Sequence, residues 1–91
     1  MSVIVSIPTP LRNLTQNADT AEVEAGTIEE MVEALERAYP GMKDRLMDGD
    51  GNLRRFVNFY LNGEDVRFLD DKRTVLKAGD EVSIVPAIAG G

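Results

Sequence analysis

"TIEEMVEALERAYPG", Thr27 to Gly41, is the stretch on which the fold turns. Thr27 followed three residues later by Glu30 forms a capping box, which satisfies two otherwise orphaned N–H groups, and Glu29, Glu30 and Glu33 set negative charge toward the positive end of the helix dipole. Ile28, Met31, Val32, Leu35 and Tyr39 recur at i, i+3, i+4, i+7 and i+11, one apolar stripe along one face. Pro40 and Gly41 end the helix. With one main helix to bury, the stripe must be covered by a sheet.

The flanking segments supply that sheet. Downstream, "MKDRLMDGDGNLRR" predicts one further helical turn with Met42, Leu46 and Met47 facing inward, then a loop at Asp48 to Asn52. "FVNFYLNGEDVRF", Phe56 to Phe68, reads as a strand, an Asn62-Gly63 turn and a shorter strand, since both central residues of a type I′ turn need positive φ. Val57, Phe59 and Leu61 are expected to face the core. The last strand is "DEVSIVP", with Val82 and Ile84 inward, introduced by the turn "KAGD" and closed by Pro86. Upstream, "SVIVSIP" alternates with Val3, Val5 and Ile7 on one side, "RNLTQNAD" is a polar bend, and "TAEVEA" is the returning arm of a hairpin.

The element order β-β-α-β-β-β, with one helix between two strand groups, predicts an α+β fold. In it a mixed sheet of about five strands is crossed on one face by the helix, the β-grasp arrangement. If the first and last strands are parallel neighbours at the centre, residues 1–86 form the domain and residues 87–91 leave from its middle as a flexible diglycine tail.

Composition narrows the function. A chain of 91 residues with 43% hydrophobic content makes one core, buries roughly 60 to 65% of its unfolded surface and leaves no room for an enclosed active-site cavity. An independent enzyme is disfavoured. Ten basic against sixteen acidic residues, net charge −6, argue against nucleic acid or an anionic membrane as partner, and a basic protein fits better. No run approaches the roughly 20 apolar residues of a membrane span, and the first residues lack the pattern of a signal peptide, so a cytoplasmic location is expected. The absence of cysteine and histidine removes thiolate nucleophiles, imidazole bases and soft metal ligands, so no bound cofactor or metal is expected.

Two features remain as candidate sites. With Val3, Val57 and Val82 turned to the helix, Ile4, Phe56, Tyr60 and Val85 point outward, where an isolated domain would carry polar side chains. They are read as a partner-binding face, against the plainer reading that long neighbours such as Arg67 cover them. The second is "IVPAIAGG", Ile84 to Gly91. Gly90 and Gly91 have no Cβ and make the narrowest backbone available, suited to threading a tight channel behind Ile88 and Ala89 and delivering the Gly91 carboxylate to another enzyme. A carboxylate needs activation, for example by adenylation with ATP, and the chain has no phosphate-cradling loop of its own, so a partner must use the ATP. By contrast "DGDGN" lacks the glycine and glutamate of a calcium loop at its sixth and twelfth positions, which are Leu53 and Phe59, and reads as a surface turn. Glu64, Asp65, Asp70 and Asp71 read as solvated surface, as do Arg54-Arg55 and Lys72-Arg73.

Through "FVNFYLNGEDVRF", "YPGMKDRLMDGDGNLRRF" and "LKAGDEVSIVPAIAGG", the whole chain resembles the MoaD/ThiS family of ubiquitin-like sulfur-carrier proteins. The resemblance implies that Gly91 is adenylated by an E1-like adenylating and sulfurtransferase enzyme, then converted to a thiocarboxylate that donates sulfur. Arg55 to Phe68 and Pro86 to Gly91 are most similar to the cysteine-biosynthesis branch. There the implied partners are a PLP-dependent cysteine synthase, on which the thiocarboxylate attacks an aminoacrylate, and a metal-dependent peptidase that releases cysteine. Three alternatives stay open: the small subunit of molybdopterin synthase, docked on its large subunit; a ubiquitin-like modifier joined to lysines; and a binding module that uses only its sheet face.

Overall fold

A computed structural model describes residues 2–86. The chain runs β1 (Ser2–Ser6), β2 (Thr20–Glu24), α1 (Ile28–Ala38), α2 (Met42–Leu46), β3 (Val57–Leu61), β4 (Glu64–Asp65) and β5 (Glu81–Pro86). The five strands form one mixed sheet in the order β2-β1-β5-β3-β4. β1 and β5 are parallel neighbours at its centre, and the other pairs are antiparallel. A hairpin at each side with the helix between is the β-grasp order that a single apolar stripe requires.

Helix α1 starts where its cap predicts: the Glu30 N–H donates to Thr27 Oγ1 at 3.2 Å. The return arm of the box differs by one residue, because the Glu30 carboxylate accepts from the N–H of Gly26 at 2.8 Å. The Thr27 segment is instead stitched to the chain before β5, with the Ile28 N–H on Thr74 O at 3.1 Å and the Leu76 N–H on Gly26 O at 2.9 Å. Ile28, Met31, Val32 and Leu35 are fully buried against Val3, Val5, Phe59, Val82 and Ile84 from the sheet's inner face.

Gly41, at φ 101°, turns the chain into α2, whose Met42 and Leu46 close the far side of the core, as does Met47 just beyond. The Glu36 carboxylate anchors that turn. It accepts from the N–H of Gly41 at 3.1 Å and of Lys43 at 2.9 Å, filling donors that a helix start leaves empty. Glu36→Ala is therefore expected to cost about 1 to 2 kcal/mol in denaturant titration. Glu33→Ala, which removes only the half-exposed pair with Lys43, should cost at most about 1 kcal/mol. Equal costs for the two would refute the capping role.

Two loop expectations are corrected. The segment after the Asn62-Gly63 turn is a strand for Glu64–Asp65 only; Val66–Phe68 is a 3-10 turn. Asp65 Oδ1 captures the Arg67 N–H at 2.9 Å, and Val66 must drop into the core, so the backbone cannot stay extended. The bend after Pro8 opens with a 3-10 turn at Thr9–Leu11 that buries Leu11, and Thr15 inside it is buried with its hydroxyl on Ala18 O at 2.8 Å.

The Asn62-Gly63 turn has the positive φ values expected of it, 50° and 89°. Asn62 also extends the β3–β5 ladder: its N–H donates to Glu81 O at 2.8 Å, and its side-chain oxygen accepts from the Glu81 N–H at 3.0 Å. Its amide donates to Asp80 Oδ1 at 3.1 Å, while Asp80 Oδ2 accepts from the Lys77 N–H at 2.8 Å. The Lys77 N–H, then the Asn62 amide, hold the Asp80 carboxyl below its ordinary value of 3.8. A depressed carboxyl stabilises the fold fully above its unfolded pKa and loses that contribution as pH falls through the native one. The melting-temperature gap between wild type and Asp80→Asn should thus shrink from about pH 5 to about pH 2. A gap independent of pH would show that the carboxylate does nothing there.

Candidate functional site

The sheet's outer face is set by register. Ile4 stands between Glu22 on β2 and Glu81 on β5. Val85 lies opposite Asn58, and Tyr60 opposite Ser83, which puts Tyr60 diagonally beside Val85 on one face. Phe56 precedes β3 by one residue at the same end and is 61% exposed. Ile4 and Val85 are also exposed, and Tyr60 is half-buried. The four side chains therefore do not make one patch. Phe56 and Tyr60 lie diagonally to either side of Val85, and Ile4, two strands away from Tyr60, lies about 13 Å back from Val85 along the strand direction, flanked by two glutamates.

That end of the sheet is the root of the C-terminal segment. Val57 pairs with Pro86, the last described residue, at the edge of the β3–β5 ladder. β5 lies at the centre of the sheet: β1 pairs with Glu81 to Ser83, and β3 continues the pairing as far as Pro86, which Val57 holds. Ile88, Ala89, Gly90 and Gly91, the residues assigned to threading and reaction, lie outside the described residues.

Arg67 does not lie free over the apolar group. Its Nη2 donates to the carbonyls of Arg54 at 3.2 Å, Arg55 at 2.5 Å and Val57 at 3.2 Å, tying the entry of β3 to the turn after β4. Nothing in periodicity or spacing announces this contact, since its acceptors lie 10 to 13 residues upstream. Lys72 does the same for the neighbouring loop, donating to Gly51 O at 2.8 Å. Within that loop Asp48 Oδ1 accepts from the N–H of Asp50 at 2.9 Å and of Asn52 at 3.1 Å, the turn geometry expected of "DGDGN".

Among the described residues, no three metal-ligating side chains come together, and no helix is long and apolar enough to cross a membrane. What the geometry offers is a rigid platform. An exposed apolar group lies near Pro86, the last described residue, and Arg54 and Arg55 lie just before its partner Val57 in the chain.

The sequence profile of the ThiS family matches residues 5–91. The sulfur carrier protein CysO of Mycobacterium tuberculosis is 45% identical over 93 aligned positions that span the whole of both chains. Among solved structures, the Amycolatopsis orientalis BexX/CysO complex contains a chain that superposes with a TM-score of 0.92 at 42% identity, covering 98% of this chain and 99% of that one. Crystalline Mycobacterium tuberculosis CysO superposes at 0.89 with 43% identity, covering 94% and 99%.

Proposed function

The chain belongs to the ThiS family, and on that premise we propose that it is a sulfur carrier for cysteine biosynthesis, a protein co-substrate that works on partner enzymes. The observation that carries this reading is its identity with a sulfur carrier across the full length of both proteins. Residues 1–86 serve as the handle and residues 87–91 as the working arm. An E1-like partner binds ATP; a Gly91 carboxylate oxygen attacks the α-phosphorus and pyrophosphate leaves. Sulfide sulfur then adds to the acyl carbon, AMP leaves, and the terminus becomes a thiocarboxylate. Its sulfur bonds to the β-carbon of an activated serine held by a PLP-dependent synthase, the activating group leaves, the resulting thioester shifts from sulfur to the cysteine amine, and a metal-dependent peptidase hydrolyses that amide to free the cysteine.

Each partner must accept the same arm, which explains why the arm's root is rigid. Gly90, Ala89 and Ile88 thread the channel, while Phe56, Tyr60 and Val85, with Ile4 farther back, meet the partner's surface. Reconstitution tests the sequence of events. With the E1-like enzyme from the same genome, ATP and sulfide, followed by the synthase and its serine substrate, the chain is expected to gain one cysteine and to lose it again to the peptidase. A ladder of lysine-linked adducts that vanishes on deleting Gly91, with no cysteine gained, would contradict this reading and favour a modifier.

A further inference from the structure

A cleft of about 330 Å3 opens beside the root of the C-terminal segment, lined by Asp48, Arg54, Arg55, Phe56 and Val57. We infer that this cleft is a docking site for an acidic segment of the enzyme that activates the chain, recognised by Arg54 and Arg55 with Phe56 as its apolar floor. The inference deepens the sulfur-carrier reading and rests on it for the identity of the partner.

Charge favours such an occupant. The chain carries sixteen acidic and ten basic residues, yet neither arginine pairs with a carboxylate among the described residues. Both are exposed. Arg54 uses its Nε on Asp44 O at 2.8 Å, which leaves its outer nitrogens open, and Arg55 has no side-chain hydrogen bond there at all. Asp48 is the one carboxylate in the lining, and its Oδ1 is already held by the N–H groups of Asp50 and Asn52.

The site is also preorganised. The Arg54 N–H donates to Leu46 O at 2.9 Å, and Arg67 Nη2 grips the carbonyls on both sides of Arg55 as well as its own. The backbone under the two guanidinium groups is therefore fixed before binding, which lowers the entropic cost of docking. Through those bonds Arg67 also brings a third positive charge to the backbone of Arg54, Arg55 and Val57, which line the cleft. Guanidinium groups suit paired, planar contact with carboxylates, and the exposed Phe56 ring beside them supplies apolar area.

Val57 lines the cleft and pairs with Pro86, so an occupant lies beside the last described residue before the segment that the enzyme must draw in. The outer face is negative at its other end, around Glu22 and Glu81, so an acidic segment is steered to one end only. Nucleic acid is disfavoured by the net charge of −6.

The test is ATP–pyrophosphate exchange by the activating enzyme from the same genome, with the full chain as substrate. Arg55→Glu removes no described hydrogen bond, so its melting temperature should match wild type. It is expected to raise KM about tenfold with kcat unchanged, and Arg54→Glu/Arg55→Glu to raise it further. Added salt should raise KM for wild type and much less for the double variant. An unchanged KM in both variants overturns the docking site and leaves the sulfur-carrier reading standing, as does a fall in kcat alone. Polyglutamate should compete with wild type but not with the double variant; competition by an RNA homopolymer instead would also overturn it. No exchange with wild type overturns both.

Discussion

Gly90→Val is expected to melt as wild type does and to lose at least about a hundredfold of its adenylation rate. The two halves of that result have separate causes. Among the described residues the core runs from Val3 to Ile84, all upstream of Gly90, so valine there is expected to leave that packing unchanged. A β-branched side chain, however, widens the arm and restricts its backbone, and a channel fitted to glycine cannot accept it. The checks are thermal unfolding and ATP–pyrophosphate exchange with the activating enzyme on the same preparation. Normal exchange would refute threading, and a lowered melting temperature would show that the arm packs against the domain.

Phe59→Ala is expected to cost about 3 to 5 kcal/mol. Phe59 is 1% exposed, sits in the middle of β3 opposite Ile84, and is the largest fully buried side chain in the core. A domain this small holds the lower part of the usual range of about 5 to 15 kcal/mol, so the loss takes roughly half or more of it. At about 4 to 8 °C per kcal/mol, the melting temperature should fall by at least about 12 °C. Phe68→Ala is the matched control: that ring is 85% exposed, and its removal should change stability by no more than about 0.5 kcal/mol. Similar effects at the two positions would mean that the inner face of β3 is not where the core sits.

The contrast between these rings marks how far the sequence could be read. Strand alternation and the helix stripe are local periods, so Val3, Val57, Phe59 and Val82 could be turned inward and Leu35 placed against them by counting alone. The turns at Asn62-Gly63 and Gly79 were legible because positive φ restricts the residue type. Contacts made across the fold were not. Arg67 clamping the carbonyls of Arg54, Arg55 and Val57, and Glu36 capping α2, depend on where two separate segments meet. Phe68 read as strand because Val66 and Phe68 are strong β formers, but Asp65 bonding to the Arg67 N–H bends the chain first. The outer face shows the same limit: alternation assigns Ile4, Tyr60 and Val85 to one side, but only the pairing register reveals that Ile4 stands apart between glutamates.

As a sulfur carrier, the chain must hold sulfur at Gly91. Intact-mass measurement on the protein purified from its native host tests it most directly. A fraction in which one C-terminal oxygen is replaced by sulfur, confirmed on the peptide that contains Gly91 and enriched by the activating enzyme, ATP and a sulfur source, is the predicted result. A terminus that stays a plain carboxylate under all of these conditions would contradict it.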